Sequence, residues 1–263
     1  MRKTDTLKII ISFFLAVSFA YALSPNGANL DASAPQRTPT NYTPSPILAQ
    51  AGNVTEVNIF GYSPTRAWQG YFGNVTGTIQ LTDAQSRVMY NWSLASPQGE
   101  VYASTNSSIL WNRIQCFNFT SAGTLDNLGS EVAGATSLYG YNLTQLESMF
   151  GINFDDVDGV DETFVYFGAP QGHDLFYTAN LQFSAGECRS TRIFDSSGAG
   201  VDGNFEEVLM YEPTTTSIIF ASLLDENQLG FDQATHDFQM LVLENGHGTD
   251  TSATTYYFFV ELE

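Results

Sequence analysis

The chain has 263 residues, 43% of them hydrophobic and 14% charged, with 28 Asp+Glu against 9 Lys+Arg and a formal net charge of −19. That apolar content supports a sizeable core and excludes wholesale disorder. The acidic balance argues against nucleic acid and anionic lipid as partners, because both are gripped by Lys and Arg.

Residues 1–22 read as a secretory signal peptide. Arg2, Lys3 and Lys8 form a basic start, Ile9 to Ala22 is a 14-residue apolar run, and Ala20-Tyr21-Ala22 ends it as a small-x-small cleavage site. The run is short of the about 20 apolar residues of a membrane span; an uncleaved N-terminal anchor is the alternative reading. No later segment is long and apolar enough to span a membrane, so no span is expected in the mature chain. Three basic residues and one acidic residue leave with the signal, so the remainder holds 6 Arg, no Lys and 27 acidic residues, a net of −21. Residues 23–50 carry Pro25, Pro35, Pro39, Pro44 and Pro46 among small polar residues, the composition of a flexible linker.

From residue 51 to residue 263 the pattern is that of one all-β domain. Val54, Glu56, Asn58 and Phe60 alternate with Thr55, Val57 and Ile59, and short runs of the same period follow at 73–81, 87–94 and 100–103. Asp83-Ala84-Gln85-Ser86 and Ser96-Pro97-Gln98-Gly99 are turn sequences between them. Further strands are expected at 163–167, 175–183, 205–211, 217–224, 237–243 and 254–262. The last has Tyr256, Phe258, Val260 and Leu262 on one face and Tyr257 and Phe259 on the other, so both its faces are apolar. One short helix is expected at Leu143–Phe150, with Asn142 as N-cap and Leu143, Leu146, Met149 and Phe150 as its apolar stripe. Many short strands with one helix point to an antiparallel β-sandwich or jelly-roll-like domain.

Cys116 and Cys188 are the only cysteines. In an exported chain they are expected to form one disulfide worth about 4 kcal/mol in the chain-entropy model; two free buried thiols are the alternative. Their spacing fits no cysteine-ligated zinc site. Seven N-x-S/T sequons, at Asn41, Asn53, Asn74, Asn91, Asn106, Asn118 and Asn142, all fall in the first part of the chain. They point to N-glycosylation of one flank, leaving the other bare.

The acidic run Asp155, Asp156, Asp158, Asp161 and Glu162 surrounds Gly159. Alternating carboxylates around a glycine can wrap a hard cation, which makes Ca2+ the candidate cofactor, although the run departs from the EF-hand loop in the place of its glycine and the lack of a twelfth-position Glu. A solvated acidic loop is the plainer reading. No G-x-S-x-G, H-E-x-x-H, P-loop or G-x-G-x-x-G motif occurs, so no catalytic residue is assigned and no enzyme is expected. His173, His236 and His247 read as turn or surface residues. Trp68, Tyr71 and Trp92 are candidates for stacking on sugar rings, or else core aromatics of a sandwich.

The stretches Trp68-Gln69-Gly70-Tyr71-Phe72-Gly73-Asn74-Val75-Thr76-Gly77, Tyr90-Asn91-Trp92-Ser93, Gly99-Glu100-Val101-Tyr102-Ala103, Asp237–Val242 and Tyr256–Glu261 resemble a group of secreted archaeal proteins of unassigned role. The resemblance implies an archaeal cell-surface glycoprotein and transfers no site residue. The expectation is therefore a secreted or surface-displayed, N-glycosylated structural or adhesive protein whose partners are other surface proteins or itself. One form of it is self-assembly by strand pairing, with residues 254–262 complementing a neighbour's sheet. A lectin-like module that binds glycans with calcium is the second reading, and a secreted polysaccharide hydrolase the third.

Overall fold

The computed structural model describes residues 24–33, 44–61, 63–93, 98–119, 141–153, 155–244 and 253–262. The expected signal peptide, the sequon at Asn41 and His247 lie outside the described residues. Among the described residues fifteen strands follow in chain order. They are β1 (Asn26–Gly27), β2 (Trp68–Gly73), β3 (Thr78–Thr82), β4 (Val88–Ser93), β5 (Gly99–Ser104), β6 (Gln115–Cys116), β7 (Phe176–Thr178), β8 (Leu181–Phe183), β9 (Ser190–Arg192), β10 (Glu206–Glu212), β11 (Ser217–Leu223), β12 (Gln228–Leu229), β13 (Thr235–His236), β14 (Phe238–Leu243) and β15 (Tyr257–Leu262). Two helices, α1 (Leu143–Phe150) and α2 (Val160–Thr163), interrupt them.

Every ladder between these strands is antiparallel, and the fold is all-β. The main sheet runs β1-β15-β5-β11-β10-β6, with β9 also on β10. Its centre is apolar on both faces because β10 and β11 send alternate residues to opposite sides. Leu209, Tyr211, Ile218 and Phe220 enter one buried cluster, and Val208, Met210, Ile219 and Ala221 enter the other. The first cluster is closed by Met240 and Val242 of the β2–β14 pair, which lies over β11 and β10 as a second β layer, and by Leu143, Leu146 and Phe150 of α1. The second is closed by Phe176 and Phe183 of the β7–β8 hairpin and by Trp111.

The helix at Leu143–Phe150 forms where the sequence places it, and Asn142 caps it. The Gln145 N–H donates to Asn142 Oδ1 at 2.9 Å, and the Asn142 N–H donates to Gln145 Oε1 at 3.0 Å. Its buried stripe differs by one residue: Glu147 is buried, while Met149 is 48% exposed. Positions 143, 146, 147 and 150 are the helix-spaced set, so the stripe itself carries a carboxylate.

Four expectations are corrected. The strand expected at 163–167 is reduced to a single bridge from Tyr166 to Ser190, and the four-residue helix α2 ends at Thr163 just before it, with Asp161 and Glu162 in the first turn suiting its positive end. The expected strand 175–183 is a hairpin that turns at Ala179, whose φ is +55°. Residues 54–60 have strand periodicity but pair with no strand among the described residues. The C-terminal strand has a neighbour at each edge, β5 along its length and β1 at Val260 and Phe259. It is therefore not a free strand, and part of the expected linker is tied to the sheet.

Cys116 and Cys188 form the disulfide, with Cα atoms 5.2 Å apart across a sequence separation of 72. Cys116 ends β6, which pairs with Met210 and Tyr211, and Cys188 precedes β9, which pairs with Glu206, Glu207 and Val208. The bond thus clips together two short strands that share one edge of β10.

Candidate functional site

Glu147 of α1 meets Asp161 and Glu162 of α2, and one carboxylate oxygen from each lies within 4.8 Å of the others. Glu147 is buried and accepts a hydrogen bond from the Val160 N–H at 3.2 Å, so it holds the first turn of α2 from outside. Asp161 Oδ1 is buried with no hydrogen-bond partner. Gly159 completes the cluster: a Cβ there would stand 2.5 Å from Glu162 Oε2, 3.1 Å from the Asp156 carbonyl oxygen and 3.2 Å from Glu147 Oε1. Burial, and then the charges of Asp161 and Glu162, push the Glu147 carboxyl up to about 7, and burial also raises Glu162.

Of the five carboxylates singled out in the sequence, Asp161 and Glu162 are in this cluster. Asp156 turns its side chain to the Asn153 N–H at 2.8 Å, leaving its carbonyl near the cluster. Asp158 accepts from the Thr65 hydroxyl at 2.6 Å, and its carbonyl accepts from Trp68 Nε1 at 2.8 Å. Asp155 is exposed. Sequence reasoning missed Glu147; a Glu at a stripe position of an amphipathic helix was the available signal.

The three aromatic candidates do not form one platform. Trp68 is half-buried beside Phe164, and Tyr71 packs edge-on against Phe258 at 5.1 Å. Trp92 stands on the β3–β4 ribbon, which among the described residues pairs with no other sheet. The register puts Ile79 opposite Trp92 and Leu81 opposite Tyr90 on one face, with Thr78 opposite Ser93 and Gln80 opposite Asn91 on the other. The first four side chains are 39–58% exposed, and the Tyr90 and Trp92 rings are 4.8 Å apart. At the ribbon tip Arg87 pairs with Asp83 at 2.7 Å. The ribbon is amphipathic, with its apolar face in water and its sequon on the polar face.

Asn53, Asn74 and Asn91 are exposed, and Asn106 and Asn118 are half-buried. The attachment nitrogen of Asn106 donates to Ser217 Oγ at 2.9 Å. Asn142 is buried as the α1 cap, which makes it a structural residue before it is a glycan site.

His173 is fully buried rather than at the surface. Its Nε2 accepts from the Cys188 N–H at 3.0 Å, so Nδ1 carries the proton and donates to the Asp174 carbonyl at 2.6 Å. Burial lowers its pKa. His236 is buried too, 2.9 Å from Asp232 Oδ1. Both are explained by these local bonds. Among the described residues no helix is long and apolar enough to cross a membrane. Comparison with protein-family models, with curated proteins and with solved structures finds no match.

Proposed function

We propose that this chain is an exported, glycosylated structural or adhesive protein that works through protein–protein contacts at the cell surface. The observation that carries the reading is the β3–β4 ribbon. Two strands alone are marginal in water, yet this pair exposes Ile79, Leu81, Tyr90 and Trp92 together. Such a face is what an interaction surface looks like before its partner arrives. The ribbon residues 74–93 hold one acid, Asp83, and one base, Arg87. In a chain of net charge −19 a neutral surface is where another acidic protein can approach with least repulsion. A sugar on Asn91 would leave that face uncovered.

Light scattering of the purified exported chain tests this. Higher-mass species are expected at tens of micromolar, and replacing Tyr90 and Trp92 together by Ser should shift them toward monomer with the melting temperature kept. A monomer at every concentration, with no binding to cell-surface preparations, overturns the reading.

A second reading is favoured by the orphaned oxygen of Asp161 beside buried Glu147. Here the domain binds a hard divalent cation such as Ca2+ through Glu147, Asp161 and Glu162. Three carboxylates that close repel one another unless a proton or a cation joins them. Calorimetric titration with Ca2+ is its test.

A further inference from the structure

We propose that Asn74 carries an N-linked glycan whose first pyranose ring lies on the aromatic patch of Phe72 and Phe231. The proposal rests on the glycosylated, exported reading above, and it names one site and the seat of its sugar. The sequence there is Phe72-Gly73-Asn74-Val75-Thr76. Exposure alternates along it: Phe72, Asn74 and Thr76 are exposed, and Gly73 and Val75 are half-buried. The acceptor asparagine, the sequon threonine and an aromatic ring therefore share one outward face. Alternate residues of an extended chain stand about 7 Å apart, within reach of one sugar ring on an asparagine side chain.

The acceptor is held in place. Buried Asp237 ties the backbone on both sides of it, its N–H donating to the Gly73 carbonyl at 2.9 Å and its carboxylate accepting from the Val75 N–H at 2.8 Å. Asn74 is thus presented to water on a fixed backbone, as a glycan acceptor must be.

The seat is built as well. Phe72 is 49% exposed and Phe231 52%. Their rings meet edge-on with centroids 5.0 Å apart, and the ring of buried His236 lies 4.8 Å from Phe72. The loop that carries Phe231 sits close on that histidine, since a Cβ on Gly230 would stand 2.6 Å from His236 Cδ2. The patch is therefore formed before any sugar arrives, and little ordering cost remains. A pyranose has a face of C–H bonds, which it can lay on the electron-rich face of an aromatic ring while its hydroxyls stay in water. Attachment two residues from Phe72 gives the sugar a high effective concentration at the patch, which favours it over any free occupant.

The other described sequons lack this pairing of acceptor and seat. The Asn106 amide is engaged by Ser217 Oγ, and Asn142 is buried as the α1 cap. Asn91 stands opposite Gln80 on the polar face of its ribbon, and Asn53 has no aromatic residue within two positions.

The test uses the full chain exported from an N-glycosylating host. Peptide mass spectrometry is expected to find Asn74 occupied in most molecules. Thr76→Ala, which removes the sequon and keeps Asn74, should lower the melting temperature by about 2–4 °C. The same substitution should leave it unchanged in chains made without glycosylation. In a Phe72→Ser background, and separately in Phe231→Ser, the loss on Thr76→Ala should vanish, because the sugar has lost its seat. Sugar-ring protons shifted upfield by the aromatic ring should return to their ordinary positions in Phe72→Ser. Glycans on other sequons with Asn74 empty, or a Thr76→Ala loss that persists in both serine backgrounds, overturn this site and leave the glycosylated reading standing. An exported chain with every sequon empty overturns both.

Discussion

Glu100 on β5 stands directly opposite Glu261 on β15, and both carboxylates are buried. The Tyr102 hydroxyl lies 3.3 Å from an oxygen of each and 3.1 Å from Thr178 Oγ1, and the Ala179 N–H donates to Glu261 at 2.9 Å. Two like charges face to face in a core would repel strongly, and the groups around them supply the donors that make the pairing tolerable. Burial first, and the two carboxylates after it, drive the Tyr102 pKa well up, so its proton stays on the phenol.

Tyr102→Phe is therefore expected to destabilise the domain by about 1–3 kcal/mol, the cost of leaving a buried polar group short of a partner. The urea midpoint at neutral pH measures it. Adding Glu261→Gln to the same chain should recover part of the loss, because an amide supplies its own donor and removes one charge. No recovery would mean that the hydroxyl serves Thr178 and packing rather than the carboxyl pair.

Stability should fall as pH rises from about 5 to 8. Glu207 is completely buried, with its Oε2 accepting from the Leu241 N–H at 2.7 Å, and burial drives its pKa well up. Burial also raises Glu206, pushes Asp225 up to about 6 and pushes Glu147 up to about 7. In each case the folded state holds the proton more tightly than the unfolded chain does. That stability is complete below the unfolded pKa, near 4.5 for Glu and 3.8 for Asp, and is lost as pH climbs through the folded value. For Glu147 the window runs from 4.5 to about 7 and is worth at most about 3 kcal/mol. His173 acts in the opposite sense, since a depressed histidine contributes stability that is present above 6.5 and lost as pH falls from there through its lower folded value, but it stands against four carboxyls. The urea midpoint should drop between pH 5 and pH 8, and Glu207→Gln should flatten the drop. A midpoint that rises over that range contradicts the assignment.

Calcium should raise the melting temperature at pH 7.5. At 100 times its dissociation constant a ligand adds about 2.7 kcal/mol, which for a domain of this size is on the order of 5–10 °C. Glu147→Gln should remove the shift. The shift should also fade toward pH 5.5 in the native chain, because a cation needs the Glu147 carboxylate and that group protonates at about 7. An equal shift in Glu147→Gln would move the cation elsewhere on this acidic surface.

The legible parts of this fold are those written in adjacent residues. Asn142, Gln145 and the apolar stripe announce α1, and the period of two announces β10, β11, β14 and β15 to within a few residues. Residues 54–60 carry the same period yet pair with no strand among the described residues, because periodicity does not supply a paired neighbour. The acidic run shows a related limit. Its local spacing suggested a loop of five ligands, whereas the residue that makes a cluster of Asp161 and Glu162 is Glu147, brought by the packing of α1 on α2. The apolar face of the β3–β4 ribbon is legible as alternation, but its exposure is not. That follows from the main sheet being covered already by β2–β14 on one side and β7–β8 on the other.

Reducing the disulfide should cost about 4 kcal/mol of stability if the chain-entropy account holds, given the 72-residue separation it closes. The loss should be local in structure as well as global in energy. β6 contributes two residues and β9 three, and each pairs only with β10 in the main sheet. Without the clip β6 becomes a short, untethered edge and β9 keeps, besides β10, only the bridge from Ser190 to Tyr166, whereas β10 keeps β11 along six paired positions. A Cys116→Ser, Cys188→Ser chain is therefore expected to unfold at a melting temperature on the order of 10 °C lower. Amides of Gln115–Cys116 and Ser190–Arg192 should exchange much faster than those of β11. Equal protection in the reduced and oxidised chains would show that these strands are held by their side-chain packing, with Ile114 and Cys188 buried in the second cluster, and not by the covalent link.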